Sequence, residues 1–125
     1  MEIQEILEYN KMCAEFLGWT IDQDEILTVP EECKVKPQIY WPAYKNLLFH
    51  SDWNWIMEVV EAIEKLKFNV RITIACIKIE NAFDNDSNLS PIYKFHSMQG
   101  EFESKKEAVV QAINQFLIWY NEQNT

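Results

Sequence analysis

Arginine, glycine and histidine are the scarcest residues of this 125-residue chain, with one of the first and two each of the others. Gly18 and Gly100 stand far apart, so the glycine-rich turns that let a backbone cradle phosphate are missing. Arg71 is the single guanidinium, which leaves bidentate recognition of phosphate or guanine without its usual donor. The three cysteines, Cys13, Cys33 and Cys76, are odd in number, widely spaced and in no CxxC arrangement. They indicate neither a disulfide framework nor a zinc site, and they fit a reducing, cytoplasmic compartment. Apolar runs such as residues 74–77 fall far short of the roughly 20 residues that cross a bilayer. The opening Met1-Glu2-Ile3-Gln4-Glu5 lacks the basic and apolar regions of a secretory signal, so the sequence predicts neither export nor membrane insertion. No GxSxG elbow, HExxH pair or Cys–His signature occurs, so the sequence predicts no enzyme and no cofactor.

What is present is core material and negative charge. Hydrophobic residues make up 48% of the chain and aromatics 14%, enough for one self-sufficient domain over residues 1–125. The net charge is −9, and it is unevenly placed: residues 1–33 hold nine acids against Lys11, whereas the other 92 residues balance eleven acids with ten bases. Such a front repels phosphate, which argues against direct nucleic-acid binding, and its complement is a basic protein surface. The bland counterpart is acidity that only keeps a small protein soluble. The candidate partner-binding acids are Glu8, Glu15, Asp22, Asp24, Glu25, Glu31 and Glu32.

Residues 2–17 predict an amphipathic helix, with Ile3, Ile6, Leu7, Cys13, Phe16 and Leu17 on its apolar arc, Glu8, Lys11 and Glu15 opposite, and Gly18 as its stop. Residues 19–47 hold Pro30, Pro37 and Pro42 and show no sustained period. They predict an irregular connection with short strands near residues 19–21 and 38–41, of the length often used as a binding loop. Ser51 is placed to cap a second helix on Trp53, Ile56, Val59, Val60, Ile63 and Leu66, ending near Lys67. From Asn69 the period becomes two, setting Val70, Ile72, Ile74 and Cys76 on one strand face and Arg71, Thr73, Ala75 and Ile77 on the other. A second strand over residues 92–98 pairs with it antiparallel across a polar loop. Ser104 and Glu107 then form a capping box before a final helix on Ala108, Val109, Ala112, Ile113, Phe116, Leu117 and Tyr120. The expected class is α+β, three helices on a small antiparallel sheet in the order α–loop–α–β–β–α.

Three patterns invite chemistry. Asp84, Asp86 and Asn88 alternate like the first ligands of a calcium loop, but Leu89 and Phe95 stand where the loop needs glycine and a bidentate glutamate, so a solvated loop is expected and no metal. His50 and His96 are the only imidazoles, and Asp52 lies two residues from His50. A small enzyme or ligand-binding module around either histidine is therefore one alternative. The stretch 40–55 is dense in aromatics without interleaved arginine, which suits a protein hot spot better than base stacking. Trp41, Tyr44 and Trp55 are its candidate anchors. Trp53 and Trp55 cannot face the same way on a helix, so one of the two is core.

Residues 47–64, Leu-Leu-Phe-His-Ser-Asp-Trp-Asn-Trp-Ile-Met-Glu-Val-Val-Glu-Ala-Ile-Glu, and residues 104–122, Ser-Lys-Lys-Glu-Ala-Val-Val-Gln-Ala-Ile-Asn-Gln-Phe-Leu-Ile-Trp-Tyr-Asn-Glu, resemble the helices of short uncharacterised proteins of bacteriophages and prophages. The stretch Asn10 to Trp19 resembles the start of the same group, and residues 20–46 do not match it. The resemblance implies an origin and assigns no functional residue. By analogy of origin and charge it points to an inhibitor of host defence, such as an anti-CRISPR protein that occupies the basic channel of a nuclease. The leading expectation is a non-enzymatic protein that docks its acidic front on a basic host protein, such as a CRISPR nuclease. An assembly accessory forming a homodimer is the other alternative.

Overall fold

The structure is a computed structural model that describes residues 2–42, 44–66, 68–72, 76–81, 94–98 and 104–123. Helix α1 (Ile3–Phe16) leads to strands β1 (Thr20–Ile21) and β2 (Leu27–Thr28), then α2 (Trp53–Lys65), β3 (Phe68–Ile72), β4 (Cys76–Asn81), β5 (Lys94–Met98) and α3 (Lys105–Gln123). The expected α+β class holds, with three helices and two small antiparallel sheets. The residues fall into two units, Met1–Val59 and Val60–Thr125, and the division lies inside α2.

In the first unit, α1 stops where its sequence says it should. Gly18 takes φ +85°, its N–H bonds the Glu15 carbonyl, and the Trp19 N–H reaches back to Ala14, the paired bonds of a Schellman cap. The buried positions of α1 are Tyr9, Asn10, Cys13 and Ala14, not the whole expected stripe: Ile3 is exposed and Ile6, Leu7, Phe16 and Leu17 are half-buried. At 100° per residue these sets share one arc, so the phase was right and only the middle of the helix is covered. Trp19, Phe49 and Trp55 form a closed aromatic cluster with ring centroids 4.8–5.7 Å apart. Such edge-to-face pairs add about 0.5–1.5 kcal/mol each beyond the burial of the rings.

The strand expected near residues 19–21 exists as β1, and its partner is β2, with Thr20 opposite Thr28 and Ile21 opposite Leu27. Residues 38–41 are not a strand. They lie between Pro37 and Pro42, which lack the N–H a ladder needs, and they reach β2 through one bond, from Leu27 N–H to the Tyr40 carbonyl at 3.1 Å. The cap of α2 is Asp52 and not Ser51: its Oδ1 accepts from Asn54 N–H at 2.8 Å while its carbonyl accepts from Ile56.

In the second unit the run expected as one strand over residues 69–77 belongs to two, β3 and β4, with residues 73–75 outside the described part. The sheet order is β3-β4-β5, with Val70 opposite Ile79, Ile72 opposite Ile77, and Ile79 opposite Phe95. Val70 and Ile72 thus share their face with Ile77 and Ile79 rather than with Cys76, because the chain reverses before Cys76 pairs. Ile77 and Ile79 are fully buried, and α3 lies against β4 and β5. Ala108, Val109, Ala112, Ile113, Phe116 and Leu117 are buried along α3, and Phe68 meets Phe116 edge-on at 5.0 Å. Of these, Val109, Ile113, Phe116 and Leu117 each contribute roughly 1.5–3 kcal/mol on leaving water. Ser104 caps α3 as its motif predicts, its Oγ accepting from Glu107 N–H at 3.1 Å. The loop with Asp84, Asp86 and Asn88 lies outside the described residues, as do residues 92–93 of the expected strand.

Candidate functional site

The uneven charge of the sequence follows the division of the fold. The first unit holds eleven acids and four lysines, a net of −7, and the second holds nine acids and seven bases, a net of −2. All seven candidate acids belong to the first unit and all are exposed. Glu8 and Glu15 stand on α1, where Glu8 accepts from the Gln4 amide at 3.3 Å and Glu15 lies 4.0 Å from Lys11. That exposed pair is weak and leaves most of the field of α1 in place.

The other five acids are set by two turns. Between β1 and β2, Asp22 Oδ1 accepts from the N–H groups of Asp24 and Ile26 at 2.8 and 3.0 Å, and Glu25 adopts φ +62°. Asp22 therefore organises the loop with one of its oxygens, while Asp24 and Glu25 are carried outward by it. Glu31 and Glu32 occupy the corner of a turn closed by a bond from Cys33 N–H to the Pro30 carbonyl. Among the described residues, none of Asp24, Glu25, Glu31 and Glu32 contacts a basic side chain.

The aromatic anchors separate. Trp41 is 60% exposed and Tyr44 is half-buried, with φ +69° and a hydroxyl pKa raised by burial and then by Glu15. Trp55 is 5% exposed and belongs to the cluster with Trp19 and Phe49, which corrects its assignment as a partner contact. Of the tryptophan pair on α2, Trp53 is the exposed one. A helix turns 200° between the two, and the structure overturns the expected stripe at its ends: Trp53 and Leu66 are exposed, and Trp55 takes the inward place.

Among the described residues, no carboxylate bonds the His50 ring. Its Nδ1 lies 3.1 Å from the Asn10 amide nitrogen, which donates to the neutral ring. Burial lowers its pKa, favouring that neutral form. The neighbouring Asp52 carboxylate is engaged at the start of α2. Asn10 is 1% exposed, and its Oδ1 has no partner among the described residues. Burial also pushes the Tyr9 hydroxyl and the Cys13 thiol well above their usual ranges, so both stay protonated and the thiol is inert. Cys33 is buried and receives the Trp19 indole N–H at 3.2 Å. His96 sits on β5 opposite Lys78. Among the described residues no group of three or more His, Cys, Asp and Glu is placed to hold a metal, and no helix is long and apolar enough to cross a membrane.

A cleft of about 440 Å³ also opens on the first unit, lined by Lys36, Gln38, Ile39, Asn46, Leu48 and Asp52 with Trp55 beneath. Sequence reasoning missed it because its lining comes from an irregular segment and a turn, neither with a period to read. The Asn10–His50 bond had one available signal, a lone amide in the middle of an apolar arc. No protein-family model matches the chain, and no curated protein or solved structure matches it either.

Proposed function

We propose that the chain is a non-enzymatic binding protein of the cytoplasm whose acidic first unit docks on a basic surface of another protein. The reading takes that partner to be a nucleic-acid-handling protein of a bacterial host, such as a CRISPR nuclease, obstructed where it would otherwise hold a polyanion. What supports the docking is a single observation: Asp24, Glu25, Glu31 and Glu32 stand exposed on two turns of the first unit without basic side chains to neutralise them among the described residues. Carboxylates held this way exert a field over about a Debye length, roughly 8 Å at physiological salt, and steer a basic partner into contact. Trp41, exposed in the same unit, supplies an apolar contact once the surfaces meet.

The test is affinity capture from bacterial lysate followed by binding to the purified partner. The wild-type chain is compared with a variant carrying Asp24→Asn, Glu25→Gln, Glu31→Gln and Glu32→Gln, at about 0.05 and 0.5 M salt. The expected result is one partner whose affinity drops steeply with salt and with the substitutions, and whose grip on nucleic acid is competed by the chain. Equal affinity for that partner under all four conditions would discard the electrostatic reading.

A further inference from the structure

We infer that Asn10 and His50 form a proton-operated latch between α1 and the turn at residues 49–51. With the imidazole neutral, the Asn10 carboxamide donates to it; with the imidazole protonated, the carboxamide turns over and accepts from it, so the tie holds in both states. The Asn10 oxygen carries the inference. Asn10 is 1% exposed, its amide nitrogen lies 3.1 Å from His50 Nδ1, and its Oδ1 is buried with no partner among the described residues. That acceptor is idle in the neutral state, and it belongs to the same carboxamide that meets the ring nitrogen about to gain a proton.

A neutral ring that accepts at Nδ1 carries its hydrogen on Nε2, so the incoming proton lands on Nδ1. Two donors would then face each other across 3.1 Å. The backbone that carries the ring is held on both sides: Phe49 is fully buried in the aromatic cluster, the N–H groups of Ser51 and Asp52 both bond the Leu48 carbonyl, and Asp52 caps α2. Relief comes more cheaply from the carboxamide. A half turn about its Cβ–Cγ bond exchanges oxygen and NH2, groups of nearly equal size, and disturbs the packing little. The new bond has a charged donor and is the stronger of the two. His50 is half-buried, so water delivers the proton. Tyr9 and Cys13, the titratable groups flanking Asn10 on the buried arc of α1, are held protonated by burial. Asp52 is engaged at the start of α2, and among the described residues no carboxylate forms an ion pair with His50.

The latch and a fixed carboxamide predict shifts of opposite sign. A carboxamide fixed as donor favours the neutral ring, so removing it would raise the pH at which His50 takes up its proton; one that turns over favours the charged ring, so removing it lowers that pH. The test is an NMR titration of the imidazole signals in the full-length chain and in Asn10→Leu, with His96→Gln to assign His50. The midpoint should be lower in Asn10→Leu by about 0.5 or more, roughly a threefold change in proton affinity. In the wild type the Asn10 side-chain amide signals should move with the His50 midpoint while the α1 backbone amides keep their protection from exchange. A midpoint that rises or holds in Asn10→Leu would overturn the latch. So would wild-type Asn10 signals that ignore the titration, or α1 protection that collapses as the ring charges, and these two readouts need no variant to fold.

Discussion

Replacing Asn10 by leucine is expected to stabilise the protein, against the ordinary rule that altering a buried residue weakens it. Asn10 is 1% exposed on the inner arc of α1, and only its amide nitrogen is paired, with His50 Nδ1 at 3.1 Å. Its Oδ1 is buried without a partner among the described residues, which costs about 1–3 kcal/mol in lost hydration. Leucine has the same branching and heavy-atom count and no such penalty. The change gives up one hydrogen bond of about 1 kcal/mol, and His50 is half-buried, so water can take over its nitrogen. The balance is a gain of about 1 kcal/mol, or a midpoint roughly 2–6 °C higher for a domain of this size. Thermal and urea unfolding of Asn10→Leu and Asn10→Ala measures it, and alanine should destabilise because it leaves a cavity. A double-mutant cycle with His50→Ala should return a coupling of about 1 kcal/mol for the bond itself. If Asn10→Leu unfolds more easily than wild type by about 1 kcal/mol or more with that coupling intact, the oxygen has a buried partner such as water and the reasoning fails.

Stability should fall as the pH drops below about 6.5, the ordinary histidine value, towards the lowered pKa of folded His50, because the unfolded chain takes up the proton first; urea titrations at several pH values should show this loss shrinking in His50→Gln. Gly18→Ala should cost about 1 kcal/mol through its φ of +85°, since the added methyl would meet only Pro30 Cγ at a comfortable 3.9 Å; a loss above about 3 kcal/mol in chemical denaturation would mean a steric cause instead. Asp22→Ala removes both side-chain bonds of the β1–β2 loop and should raise amide exchange at Asp24 and Ile26 at least tenfold with little change in the global midpoint; unaltered exchange would show that the loop holds without Asp22.

The helices were legible because each declares itself within a few residues: the periodic apolar positions of α2 and α3, the Ser104 capping box and the Gly18 stop all act through local geometry. The charge asymmetry was legible for the same reason, being a property of order along the chain. Local sequence did not reveal the reversal between β3 and β4, because a run of alternating β-branched residues reads the same whether the chain continues or turns back. It did not reveal β2 either, since two paired residues have no period. Which of Trp53 and Trp55 enters the core was decided by Trp19, distant in sequence, and by Phe49, whose rings close on Trp55. The pairing of Asn10 with His50 across forty positions, and the meeting of Lys36, Gln38, Asn46 and Leu48 around one cleft, likewise exist only after folding. Periodicity and capping are local energies that the sequence carries by itself, whereas contacts between distant segments depend on how the chain pays its entropy of closure, and only the tertiary structure records that outcome.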